Sequence, residues 1–95
     1  MKISRIETAT RMSQVVIHGD TVYMAGQVAQ DAAGEPVAAQ TRNILERIDK
    51  LLGQAGTDKS KLLSATIWLA NMDEFDEMNE VWDAWVSSGN APCLC

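Results

Sequence analysis

Two apolar, β-branched runs, Val15-Val16-Ile17-His18 and Thr21-Val22-Tyr23-Met24, flank Gly19-Asp20 in the first quarter of the chain. Such side chains favour strands, and a glycine that accepts positive φ suits a two-residue loop, so the pattern predicts a β-hairpin. Ahead of it, residues 2–7 alternate polar with apolar at Ile3 and then break phase at Arg5-Ile6, which predicts a less regular strand. Ala25-Gly26-Gln27 closes the hairpin's second strand with small residues, leaving room for another backbone or a ligand to come close. Asp31-Ala32-Ala33-Gly34 then reads as a turn.

The period changes after Pro36. Val37, Thr41, Ile44, Leu45, Ile48, Leu51, Leu52 and Ala55 recur at three- and four-residue steps, which predicts an amphipathic helix with Pro36 in its first turn and Gly56 at its stop. Residues 62–70 are apolar or β-branched enough for a strand. A second helix is predicted from about residue 73 to 88, with a stripe of Phe75, Met78, Trp82, Trp85 and Val86 and an end at Gly89-Asn90. The order β-β-β-α-β-α followed by a short tail predicts an α+β fold, with both helices on one face of a mixed sheet. Residues 1–95 make one domain, because this length does not fill two separate cores.

Charge narrows the function classes. The net charge is −5, and the basic residues are scattered, which argues against a nucleic-acid groove. Asp73, Glu74, Asp76, Glu77, Glu80 and Asp83 form an acidic run without an intervening base. Acid near a helix N-terminus is favoured by the dipole, so the run reads as a solvated helix face. No stretch reaches the roughly 20 apolar residues that span a bilayer, and the N-terminus lacks a signal-peptide core, so a cytoplasmic location is expected. Cys93 and Cys95 stand one residue apart and cannot form an unstrained pair; with His18 remote from them, no metal site is expected. Asn79 lies on the apolar stripe between Met78 and Trp82, so it is expected to be buried and hydrogen-bonded, either holding a loop or lining a pocket.

Several strings resemble the RidA/YjgF family. Val15-Val16-Ile17-His18-Gly19-Asp20-Thr21-Val22-Tyr23-Met24-Ala25-Gly26-Gln27 is similar to its strand–turn–strand and small-Gly-Gln signature. Gln40-Thr41-Arg42-Asn43-Ile44-Leu45 followed by Ile48 resembles its first helix. Ala65-Thr66-Ile67-Trp68-Leu69-Ala70-Asn71-Met72-Asp73-Glu74-Phe75 resembles the fourth strand and the entry to helix two, and Met78-Asn79-Glu80-Val81-Trp82-Asp83-Ala84-Trp85 that helix's core. The likeness spans about residues 3 to 92, and Arg11-x-Ser13 with the paired tryptophans is similar to one branch of the family.

The resemblance implies a single sheet with two helices on one face, a homotrimer with ligand clefts between subunits, and a small carboxylate metabolite as ligand. It implies hydrolysis of 2-imino or enamino acids to 2-oxo acids and ammonia, without metal or organic cofactor. In that chemistry an arginine two residues past a proline holds the substrate carboxylate, and groups around the imine place water. Here Pro92 is followed by Cys93 and Leu94, so Leu94 stands where the resemblance puts the arginine. The family's glutamate belongs to a later strand, its tyrosine falls near Met12, and its serine near Ala25. No catalytic residue is therefore assigned. The candidate ligand-binding residues are Arg11, Ala25, Gly26, Gln27, Asn79 and Leu94, with Arg11 the nearest substitute cation. The expectation is a chain truncated or altered in frame after Pro92, lacking the final strands, with impaired deaminase activity. The alternative is a non-catalytic trimeric module that binds a metabolite or a partner protein.

Overall fold

The computed structural model describes residues 2–94. Strands β1 (Ile3–Thr8), β2 (Ser13–His18) and β3 (Thr21–Met24) form an antiparallel sheet in the order β1-β2-β3. His18 pairs with Thr21 across the predicted loop, whose Gly19 takes φ 62°, a value other residues adopt at a cost. The irregular first strand also forms, in register with β2 from Ile3↔His18 to Thr8↔Ser13.

Helix α1 (Val37–Gln54) begins directly after Pro36. It ends in a Schellman arrangement: Thr57 N–H donates to Leu52 O at 3.0 Å and Gly56 N–H to Gly53 O at 3.1 Å, with Gly56 at φ 81°. A short 3₁₀ turn (Lys59–Lys61) follows, capped by Asp58, which accepts from Ser60 N–H at 2.8 Å and from the Ser60 hydroxyl. Those two bonds, with help from Lys61, hold the Asp58 carboxyl below the usual carboxylate range.

The chain departs from expectation in its second half. Of residues 62–70, only β4 (Ser64–Ala65) is a strand, because a ladder needs a partner and only β5 (Cys93–Leu94) supplies one, running parallel to it. The tail is thus a strand, and the sheet is divided into two ladders rather than one continuous mixed sheet, while the α+β class holds. Helix α2 spans Phe75–Trp85, shorter at both ends than predicted. Residues Met72–Glu74 form a 3₁₀ turn capped by Asn71 Oδ1, which accepts from Asp73 N–H at 2.9 Å. At the other end Val86 turns to an extended conformation, and Gly89, at φ 77°, lies in a later turn.

The core sits between the helices and the segment around β4. Leu45 of α1 and Met78 and Trp82 of α2 are buried together, with Ile48, Ala65, Ile67 and Leu69 packed against them. The Trp82 and Trp85 rings lie 5.5 Å apart and tilted, and Trp85 Nε1–H donates to Asp49 Oδ2 of α1 at 2.9 Å. Trp85 therefore joins α2 to α1 as well as packing in the core. Among the described residues no helix is long and apolar enough to cross a membrane.

Candidate functional site

The pairing of β4 with β5 sets Leu94 beside Ala65, and the chain leaving Ala65 runs towards the start of α2. A cleft of about 160 Å³ opens there. Ile67 and Leu69 come from the segment after β4, Met72 from the 3₁₀ turn, Phe75, Met78 and Asn79 from α2, and Leu94 from β5. Phe75, Met78 and Asn79 share a helix face because they are spaced three and four residues apart. The lining is apolar apart from the Asn79 amide. It can hold an apolar group and make amide hydrogen bonds, and its described lining contains no acid, base or nucleophile to which a reaction step can be assigned.

Asn79 corrects an expectation. It is half-buried rather than buried, and its amide makes no hydrogen bond within the described residues. The reason is its position on the helix stripe, which here faces an open cleft instead of a packed neighbour. With no partner to strand, Asn79→Ala is expected to change folding stability by less than about 0.5 kcal/mol, as at a surface site. Chemical denaturation of the two proteins checks this.

The other candidates lie elsewhere. Arg11 is exposed in the loop between β1 and β2 and does not line the cleft. Ala25, Gly26 and Gln27 follow β3, where Ala25 N–H donates to Gln14 O at 2.9 Å and extends the sheet by one bond. Gln27 Nε2–H donates to Gln14 Oε1 at 2.7 Å and to Ala25 O at 3.1 Å, while its Oε1 accepts from Arg47 Nε–H at 3.3 Å. Gln27 is thus a junction between the sheet and α1. A Cβ built at Gly26 meets open space, so no close approach inside the chain calls for glycine there. Cys93 is free and exposed, and Cys95 lies outside the described residues.

Asn79 and Leu94 are therefore the two sequence candidates that the fold brings together. Reading the sequence placed Phe75 and Met78 on one stripe with Asn79 but not as a cleft wall, and it missed Ile67, Leu69 and Met72. The i, i+3, i+4 spacing of Phe75, Met78 and Asn79 was the available signal. It missed Gln14 and Arg47 as partners of Gln27, which no local pattern announces.

Comparison with known proteins matches the endoribonuclease L-PSP family profile to residues 2–95. The matched span runs through Cys93 and Leu94 to Cys95, beyond the Pro92 limit expected from the sequence motifs. The RutC family protein YoaB from Escherichia coli is 43% identical over 95 residues, covering 100% of this chain and 82% of YoaB. A crystal structure of a YjgF family member from Neisseria meningitidis superposes with a TM-score of 0.95 at 38% identity, covering 100% of this chain and 78% of that one. The 2-iminobutanoate/2-iminopropanoate deaminase of Bos taurus is 31% identical over 81 residues, covering 80% of this chain and 59% of the deaminase.

Proposed function

The chain belongs to the endoribonuclease L-PSP family, the RidA/YjgF family, and on that premise we propose that it is a small-molecule protein of imine-deaminase lineage whose capacity to hydrolyse carboxylate-bearing imines is impaired. The observation that carries this reading is Leu94 in the cleft beside Asn79, at the position where the resemblance puts the arginine that holds the substrate carboxylate. The name of the Bos taurus relative supports the lineage.

The chemistry of the lining supports the impairment. A carboxylate entering this cleft meets alkyl side chains, two thioethers and one amide, so no charge-assisted contact replaces the water it gives up. Exposed Asp73, Asp76 and Glu77 stand near the mouth in sequence and add like charge on the same helical segment. Asn79 remains able to orient a carbonyl or imine, but orientation without a charge anchor is loose. The reading is tested by generating 2-iminopropanoate in place and following pyruvate. Pyruvate forming no faster than in buffer is the expected result, and clear turnover overturns it.

The same reading includes a homotrimer with this cleft close to a subunit boundary. Trp68 is 90% exposed and Leu63 77% exposed, and Met72, Val28 and Tyr23 are also open, more apolar surface than a lone small domain usually presents. Sedimentation is expected to give a trimer mass at micromolar concentration. A concentration-independent monomer contradicts that part of the proposal.

A further inference from the structure

A second cleft, of about 260 Å³, opens between the end of β1, the Gln30–Ala32 turn and one face of α1. Its polar lining is Glu7, Asp31, Asn43, Glu46, Arg47 and Lys50. The four α1 residues recur at helical spacing and so present together. None of these residues lines the cleft at Leu94.

Three independent features single it out. Asn43 Oδ1 is buried and has no hydrogen-bond partner among the described residues. Native proteins leave few such atoms, because an acceptor withdrawn from water and left unpaired is destabilising. Glu7 sits at φ 51° inside β1, the one described non-glycine residue with positive φ. Left-handed backbone at a bulky side chain is strained, and such strain concentrates at functional sites. Arg47 is held in place through its Nε, which donates to Gln27 Oε1, itself tied through Gln27 Nε2 to Gln14. That leaves the terminal guanidinium nitrogens of a positioned arginine for other partners.

The lining dictates the ligand. A plain anion would meet Glu7, Asp31 and Glu46, and a plain cation would meet Arg47 and Lys50. The unpaired Asn43 oxygen calls for a hydrogen-bond donor, and beside Glu7, Asp31 and Glu46 an ammonium is the donor that the charge favours. We propose that this cleft binds a small zwitterion carrying an ammonium and a carboxylate. The ammonium donates to Asn43 Oδ1 and faces the acids, and the carboxylate faces Arg47 and Lys50. The site is separate from the cleft at Asn79 and Leu94, and it stands or falls independently of the deaminase-lineage reading.

Glycine is the probe, added to the isotopically labelled full chain while backbone amide shifts are followed by NMR. Glycine is expected to shift Glu7, Asn43 and Arg47 saturably. Glycine betaine keeps both charges but has no N–H, and is expected to bind at least about tenfold more weakly, the loss of one charge-assisted hydrogen bond. Acetate and methylammonium each supply one charge and are expected to give weaker responses than glycine. Asn43→Leu is expected to abolish the glycine response while keeping or raising the thermal midpoint, since it removes the unpaired acceptor. Should that variant not fold, Glu46→Gln and Lys50→Gln, both at exposed positions, are each expected to weaken glycine binding. Absence of a saturable glycine shift, betaine binding as well as glycine, or a response equalled by acetate or methylammonium alone overturns the proposal.

Discussion

Replacing Trp82 with alanine is expected to remove about 3–5 kcal/mol of folding stability, the usual range for truncating a buried aromatic side chain. Trp82 is 7% exposed and packs with Leu45 and Met78 in the buried cluster between α1 and α2. Its ring also lies 5.5 Å from Trp85, whose indole is tied to Asp49 and covered by the Lys59 ammonium at 5.0 Å. Truncation therefore opens a cavity at the centre of the helix pair and loosens the neighbouring ring. Small domains have only about 5–15 kcal/mol in total, so the variant is expected to be largely unfolded or to melt far below the parent. Thermal denaturation followed by circular dichroism checks it. A loss below about 1 kcal/mol would mean that the helix pair is not the stabilising centre described above.

Hydrolysis of 2-iminopropanoate is the second large effect, and it is expected as a deficit. A bidentate guanidinium–carboxylate contact contributes roughly 1.5–3 kcal/mol, or about ten- to a hundredfold in substrate capture. Loose positioning of the imine carbon against water costs on the order of another hundredfold. Together these losses bring catalysis close to the uncatalysed rate. Initial rates of pyruvate formation, with and without the chain, give the comparison. Saturable turnover would move the carboxylate anchor to another cation, and Arg11→Ala would then identify whether it is Arg11.

How far the sequence announced these features depended on whether their causes were local. The hairpin was legible because Gly19-Asp20 and its flanking β-branched runs lie within a dozen residues. The first helix was legible because its apolar period persists to Gly56, whose positive φ closes the helix. Residues 66–70 carry strand-like side chains, yet strand formation also needs a neighbour, and the ladder reaches only Ser64 and Ala65. Gly89 signalled a stop that the helix reaches earlier, at Trp85, after which Asn90 and Ser87 build a turn of their own. Asn79 was placed on the correct stripe, but periodicity does not distinguish a stripe against packed side chains from one against a cleft. The Gln14–Gln27–Arg47 chain joins residues far apart in sequence, and it becomes visible only once α1 lies over the sheet.

The central proposal is that the cleft at Asn79 belongs to a deaminase lineage and lacks its carboxylate anchor at Leu94. The most direct measurement is an NMR titration of pyruvate into the chain and into its Leu94→Arg variant, following the backbone amides of Ile67, Phe75 and Asn79. The account predicts no saturable shift for the parent. It predicts binding for Leu94→Arg at least about tenfold tighter, the effect of one restored charge-assisted contact. Equal binding by the two proteins, or pyruvate shifts in the parent centred on these residues, would contradict it.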